Sequence, residues 1–273
     1  MNYISASFFV GDYMKILVIG GDRRMLYACR KLKSYGFFVD TLGLTQNDNG
    51  DILDADVILL PVPVTRDGVN INCTISEKEI PLDILNSSRK STRIFGGGKL
   101  DLNNYTDYLS LDGYALKNAV LTAEGAIAHT IDNTDFSLWK SRVLVIGYGR
   151  VGKILTDRLL GFKTNLTVSA RNERDFALLE ASGVNHIQTS EIKDANSSFD
   201  IIFNTVDIKQ NDSVGKALAD SSFIDLSSRG GLEDGIAEKY GIHYTKLPSI
   251  PAKCAPVTAG EIIAETVIEL IKA

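Results

Sequence analysis

"RVLVIGYGRVGKILTDRLLGF", Arg142 to Phe162, decides how this chain is read. An apolar run, Val143–Ile146, leads into Gly147-Tyr148-Gly149-Arg150-Val151-Gly152 and then into a helical stretch, Arg150–Leu160. A continuous apolar run suits a strand buried on both faces of a parallel sheet. Each glycine of the GxGxxG spacing has a separate physical duty. Gly147 permits the tight turn, Gly149 lets the backbone approach a pyrophosphate, and Gly152 lets helix and strand pack closely. The phosphates then sit at a helix N-terminus, where free N–H groups and the helix dipole favour an anion. Arg150 and Val151 lie inside this turn and are counted with the glycines as cofactor contacts. The plain alternative is a glycine-rich turn on a dinucleotide scaffold that has lost its ligand.

The following strand, in "NLTVSARNERD", ends at Ser169, Ala170, Arg171 and Asn172. A site selective for NAD places a carboxylate there, on the ribose 2′-OH; an arginine suits a 2′-phosphate. Arg171, with Ser169 and Asn172 as further donors, therefore predicts NADP, and Glu173 just beyond leaves NAD open. The bland reading of Arg171 is a solvated loop residue. "FNTV" ends the next long strand, so Asn204, Thr205 and Val206 are expected to edge the nicotinamide ribose. "IDLSSRGG" ends another, which makes Ser227, Ser228 and Arg229 candidates for the nicotinamide end or the substrate. Ordinary strand-end capping is the alternative for each.

The first half of the chain alternates in the same way. "MKILVIGGD" (Met14–Asp22) is a short apolar strand closing on two glycines. "RRMLYACRKLKSYG" carries Met25, Leu26, Cys29 and Leu32 at helical spacing and stops at Gly36. "FFVDTLG", "ADVILLPVP" and "STRIFGGG" read as further strands. Strand–helix alternation implies an open parallel sheet. The expected fold is α/β: two doubly wound α/β domains, the second a Rossmann dinucleotide-binding domain. The expected boundaries are an N-terminal extension over 1–13, a substrate-binding α/β domain over 14–121, and a connecting helix and linker over 122–139. A Rossmann NADP-binding domain follows over 140–257, then a C-terminal packing helix over 258–273. The connecting helix rests on the Ala-rich "LTAEGAIAHTIDN" (Leu121–Asn133). The last helix rests on Ile262, Ile263, Val267, Leu270 and Ile271.

Composition narrows the function classes. A chain of 273 residues with 44% hydrophobic content favours two domains. A net charge of −5 with scattered Lys and Arg argues against nucleic acid or an anionic membrane as partner. Cys29, Cys73 and Cys254 are far apart and form no CxxC, so neither a disulfide framework nor a metal site is expected, and a reducing cytoplasm fits. No apolar run approaches the ~20 residues of a membrane span. The leader "MNYISASFFVGDY" lacks the basic and apolar regions of a signal peptide.

In the first half, "VIGGDRR" supplies Arg23 and Arg24, whose guanidinium forks suit carboxylates. "FGGGK" adds the backbone N–H groups of Gly97 and Gly98 and the ammonium of Lys99. Both loops end strands and are expected to face an interdomain crevice holding an anionic substrate. A solvated helix start is the alternative for the two arginines. Of three histidines, His129 on the connecting helix is the candidate acid or base; a structural or exposed residue is its alternative.

Taken together, "KILVIGGDRR", "TAEGAIA", "VLVIGYGRVGKILTDRL", "SARN" and the tail "IPAKCAPVTAGEII" resemble the dipicolinate synthase A-subunit family of spore-forming bacteria. The resemblance covers nearly the whole chain from Met14. It implies an aromatising oxidation of dihydrodipicolinate, or its hydrated 4-hydroxy-tetrahydro form, to dipicolinate. A nicotinamide acceptor takes the hydride, a flavoprotein-like B-subunit of the synthase takes part, and the mother-cell cytoplasm is the setting. It also implies a dicarboxylate substrate for Arg23, Arg24, Lys99 and the glycine loop, with Lys253 and Thr258 as a further anchor. His129, Glu124 or a group on the B-subunit is then the acid for loss of water. Two competing readings stay open: an oxidoreductase like the 2-hydroxy-acid dehydrogenases, and an NADP-binding regulatory subunit without turnover of its own. Homo-oligomerisation is also left open.

Overall fold

A computed structural model describes residues 14–46, 48, 50–195 and 198–273. The extension expected over residues 1–13 lies outside them. The chain divides into two units, one formed by the chain up to Tyr114 together with Pro256–Ala273, the other by Ala115–Ala255.

The first unit contains β1 (Lys15–Ile19), α1 (Arg23–Ser34), β2 (Phe38–Leu42), β3 (Val57–Leu59), β4 (Arg93–Gly96) and β5 (Tyr105–Asp107). The strands pair in the order β2-β1-β3-β4-β5, all parallel. Ile16, Leu17, Val18 and Ile19 are all buried, which shows β1 covered on both faces as its unbroken apolar run requires. In α1, Met25, Ala28, Cys29 and Leu32 recur at i, i+3, i+4 and i+7 and form the buried stripe. The C-terminal helix, Pro256–Lys272, packs Ala259, Ile262, Ile263, Thr266 and Val267 inward and lies along α1. Its Gly260 permits that approach: a Cβ there would stand 2.3 Å from the Arg24 carbonyl oxygen. Arg93 donates to the Leu270 carbonyl at 2.6 Å, a cation closing the last helical turn. In sheets of this order, ligands bind beyond the carboxyl ends of the strands where the strand order reverses. Here that point lies between β1 and β3, at the GGDRR turn.

The second unit opens with most of α2 (Asp112–Asp132), whose first three residues belong to the first unit. The helix begins nine residues before the Ala-rich stretch that announced it, because Tyr114 and Ala119 supply buried positions ahead of it. It continues with β6 (Arg142–Ile146), α3 (Arg150–Gly161), β7 (Asn165–Ala170), α4 (Glu173–Ala181), β8 (Asn185–Gln188) and β9 (Ile201–Asn204). Then come β10 (Lys209–Gln210), α5 (Asp212–Ala217), β11 (Ser222–Asp225), β12 (Gly231–Leu232), α6 (Ile236–Lys239), β13 (His243–Lys246) and α7 (Ile250–Cys254). The main sheet runs β13-β11-β9-β6-β7-β8, all parallel. Numbered within the unit this is the 3-2-1-4-5-6 order of dinucleotide-binding domains, read from the β8 edge. Val143, Val145, Leu155, Leu159, Val168 and Phe203 form the core beneath α2 and α3. The register places Ser169, Ile146, Asn204, Asp225 and Lys246 in one row along the carboxyl edge. The fold is therefore two doubly wound α/β units, the second a Rossmann domain. No helix among the described residues is long and apolar enough to cross a membrane.

Candidate functional site

The glycine turn stands at the switch point of the second sheet, between β6 and β9. Gly147 has φ +98°, and a Cβ there would meet Val206 Cγ1 at 2.5 Å. Gly152 sits under the turn; its Cβ would lie 2.1 Å from the Gly147 carbonyl oxygen. Gly149 is the N-cap of α3, carries no side-chain cap, and faces open space. Two glycines thus let chain approach chain, and the third leaves room above uncapped helical N–H groups. That fits a pyrophosphate. Thr205 fastens the turn from β9: its N–H and its hydroxyl both donate to the Ile146 carbonyl, at 3.0 and 2.9 Å. Val206 is partly buried in the neighbouring core, Val151 packs on the core under α3, and Arg150 is exposed at the head of the helix.

At the end of β7, Arg171 is exposed and forms no ion pair among the described residues. Its expected helpers sit elsewhere. Ser169 is fully buried beneath the turn, where its hydroxyl accepts from Gly147 N–H at 3.1 Å, so it positions the turn and does not reach a ribose substituent. Asn172 is spent as the N-cap of α4: its side-chain oxygen accepts from Asp175 N–H at 2.9 Å, and its Nδ2 donates to the Asp175 carboxylate at 3.0 Å. Lys153, one turn into α3, reaches the same carboxylate at 3.4 Å and stacks over Tyr148. Sequence reasoning missed Lys153 and Asp175, because an i to i+22 ion pair between two helices has no local signature.

Asn204 also proves internal. It is fully buried and donates to Asp225 Oδ1 at 2.9 Å and to the Val206 carbonyl at 3.2 Å, so it does not contact a ribose. Asp225 is the centre of a buried polar cluster at the carboxyl edge of the sheet, at the end of β11. Its buried carboxylate also accepts from Ser227 N–H at 3.1 Å and Ser227 hydroxyl at 2.6 Å on Oδ1, and from Tyr244 hydroxyl at 2.9 Å and Lys246 at 3.1 Å on Oδ2. Burial disfavours its charge, but these donors outweigh burial and hold it below the usual carboxylate range. Ser227 is therefore a strut of the loop that carries Arg229. The Arg229 and Ser228 N–H groups are fixed by Asp207, at 3.0 and 2.7 Å, while the Arg229 guanidinium is exposed.

The first unit corrects three expectations. Arg24 is buried; it forks onto Asp22 at 2.7 and 2.9 Å and also donates to the Val62 carbonyl. A guanidinium so engaged ties the β1 and β3 loops together and grips no ligand. Gly97 N–H donates to the Pro61 carbonyl at 3.1 Å, and Gly98 N–H to Asp107 Oδ1 at 3.0 Å. These amides are consumed in loop closure and offer nothing to a carboxylate. Arg23 and Lys99 remain exposed, without ion pairs among the described residues. Arg24→Ala is expected to lower the unfolding free energy by about 2–4 kcal/mol, since it strands Asp22 and the Val62 carbonyl, and Arg23→Ala by less than about 0.5 kcal/mol; urea unfolding of both variants checks this.

The acid–base candidates lie away from the carboxyl edge. Glu124 is exposed and 3.7 Å from Arg158, more than two turns past the head of α3. His129 is half-buried one turn before the end of α2, with Asn133 Nδ2 3.3 Å from its Nδ1. Residues 133–141 carry the chain from there to the amino end of β6, opposite the glycine turn. His243 begins β13, and His186 lies within β8 against Phe176. Lys253 and Thr258 are exposed, on α7 and on the C-terminal helix. Among the described residues no group of His, Cys, Asp and Glu is arranged to hold a metal.

Known proteins agree with this architecture. Residues 15–111 match the family model of the N-terminal domain of the dipicolinate synthase A-subunit. Residues 142–229 match "NADP oxidoreductase coenzyme F420-dependent". The second match supports an oxidoreductase-type domain for a nicotinamide dinucleotide, over the stretch that holds the glycine turn and Asp225. The dipicolinate synthase A-subunit of Bacillus subtilis (strain 168) is 30% identical, over 94% of this chain and 96% of that one. The crystal structure of the dipicolinate synthase A-subunit from Bacillus halodurans superposes with a TM-score of 0.88 at 26% identity, covering 96% of this chain and all of that one. The crystal structure of the Bacillus subtilis A-subunit gives 0.86 at 29% identity, covering 96% and 97%. With this identity sustained over nearly the full length of both chains, the protein belongs to the dipicolinate synthase A-subunit family.

Proposed function

We propose that this chain is the nicotinamide-binding subunit of a dipicolinate synthase. In this reading it oxidises dihydrodipicolinate, or 4-hydroxy-tetrahydrodipicolinate after loss of water, to dipicolinate with NADP. It works beside the B-subunit of the synthase in the mother-cell cytoplasm of a sporulating bacterium. The observation that carries the reading is the glycine turn on a Rossmann sheet, in a chain of this family.

NADP is favoured over NAD by the exposed Arg171 at the end of β7. Of the two carboxylates in the first turn of α4, Asp175 is already engaged by Asn172 and Lys153, while the exposed Glu173 keeps NAD as the alternative. Arg171→Ala is expected to raise the Kd for NADP roughly 10- to 100-fold, the loss of one or two charge-assisted hydrogen bonds, and to leave that for NAD within about twofold. Fluorescence titration of both cofactors checks it, and equal loss for both removes the phosphate role from Arg171.

The bound nicotinamide supplies the two-electron acceptor. The chain's residues orient and hold. Arg23 and Lys99, exposed cations just beyond the carboxyl ends of β1 and β4, are the grips for a substrate with two carboxylates. The hydride lost from the dihydro ring would pass to a nicotinamide bound in the Rossmann unit, with the ring proton passing to solvent and aromaticity driving the step. Dehydration of the hydrated form needs an acid. Neither His129 nor Glu124 lies at the carboxyl edge of the second sheet, and we assign that acid to the second subunit.

The test is to supply dihydrodipicolinate and NADP to the purified chain, alone and with the second subunit, and to follow NADPH and dipicolinate together. The expected result is equal amounts of both products. NADP binding without turnover under any combination would reduce the chain to a regulatory role.

A further inference from the structure

The run from Arg171 to Asp175, at the head of α4, holds two cations, Arg171 and Arg174, and two carboxylates, Glu173 and Asp175. On its own it is electrically neutral, a poor seat for an anion. α3 changes that balance. Lys153 Nζ stands 3.4 Å from Asp175 Oδ1, reaching between two helices that follow the paired strands β6 and β7. Both ends of this contact are held. Asp175 Oδ2 accepts from Asn172 Nδ2 at 3.0 Å, and the Asp175 N–H donates to Asn172 Oδ1 at 2.9 Å. Lys153 N–H donates to the Gly149 carbonyl at 2.9 Å, one turn past the uncapped head of α3, and its ammonium lies 5.1 Å from the centre of the Tyr148 ring. The ion pair thus ties the glycine turn to the residues that follow Arg171.

Stability is a weak reason for such a pair. The Lys153 and Asp175 side chains are 45% and 18% exposed, and ion pairs this open to water contribute little to folding. Its effect on a neighbouring anion is larger, because charges only a few ångströms apart lie well within the screening length of physiological salt. The end of the second strand of a dinucleotide-binding sheet, here β7, is where the cofactors differ: a free carboxylate there suits a ribose 2′-OH, a cation suits a 2′-phosphate. An unrestrained Asp175 would repel the phosphate. Paired with Lys153, it leaves the cluster with one positive charge in excess.

We infer that Lys153 determines cofactor selectivity: by holding the Asp175 carboxylate it gives the head of α4 the excess positive charge that lets Arg171 take a 2′-phosphate. The inference rests on the NADP reading given above. Lys153 is a positioning residue in this account, acting through Asp175 and not as a ligand of the phosphate.

The test uses two variants and both cofactors. Lys153→Met keeps an unbranched apolar stem beside Tyr148 and removes the charge. It should raise the Kd for NADP about tenfold and leave that for NAD within about twofold, with the melting temperature unchanged. Adding Asp175→Asn removes the carboxylate that Lys153 restrained, and the double variant should recover NADP affinity to within about twofold of the wild type. Calorimetric titration of the wild type and both variants with NADP and NAD reads these shifts. Loss of affinity in Lys153→Met that is absent, or equal for the two cofactors, overturns the inference. So does a loss that Asp175→Asn fails to repair, which would make Lys153 a direct phosphate ligand. A wild-type preference for NADP that Arg171→Ala abolishes and Lys153→Met keeps overturns this inference alone. A wild type that binds NAD as tightly as NADP overturns the NADP reading, and this inference with it.

Discussion

Gly152→Ala is expected to abolish dinucleotide binding. The added methyl would lie 2.1 Å from the Gly147 carbonyl oxygen and 2.9 Å from its carbonyl carbon, both backbone atoms. No side-chain rotation relieves such a clash; either α3 moves off β6 or the turn is pushed outward. Either shift displaces the N–H groups that would meet the pyrophosphate and breaks the seat made by Thr205 and Ser169. We expect affinity for NADP and NAD to fall together by at least about 100-fold, roughly 3 kcal/mol, and stability to fall by about 1–3 kcal/mol from overpacking. Gly149→Ala, whose Cβ enters open space, should leave stability nearly unchanged while still weakening the cofactor, because the methyl intrudes where a phosphate would pass. Parallel calorimetric titrations and thermal melts separate the two effects. Retention of wild-type affinity in Gly152→Ala would show that the turn is not the phosphate seat.

The second large effect belongs to Asp225. Asp225→Ala removes the acceptor shared by Asn204, Ser227, Tyr244 and Lys246 and leaves the fully buried Asn204 amide without it. Breaking a buried pair costs about 3–5 kcal/mol; Lys246 is 38% exposed and recovers water, so about 2–4 kcal/mol is expected here. The pH dependence has a definite sign. The carboxyl is held below its usual range in the folded protein, so its contribution is complete above the unfolded value of about 3.9 and fades as pH falls through the folded one. The stability gap between wild type and Asp225→Ala should therefore be constant from pH 7 to about pH 5 and narrow only in more acid solution. Urea denaturation at several pH values reads it. A gap that widens with acidity would contradict an ionised Asp225.

Much of this is legible in the chain itself, and the boundary has a physical cause. The turn at Gly147–Gly152 announces itself because steric limits on a strand-turn-helix act over six residues. The apolar runs of β1, β6 and β9 announce the parallel sheets because burial on both faces leaves no room for alternation. Arg23 and Arg24 look alike in sequence, yet one is solvated and the other buried, because the Val62 carbonyl arrives from 38 residues away. The amides of Gly97 and Gly98 look free until Pro61 and Asp107 come to meet them. Asp225 does carry a local signal, since a carboxylate closing an apolar strand is tolerated only when donors converge on it. Which donors converge is hidden: they come from β9 and β13, pairings that no local pattern declares.

The central claim is that a nicotinamide dinucleotide seats on the Gly147–Gly152 turn. Calorimetric titration of the unmodified protein with NADP tests it most directly. The account predicts a saturable isotherm with one cofactor per chain, weakened for NAD. A flat trace with both cofactors, from protein that melts cooperatively, would contradict it.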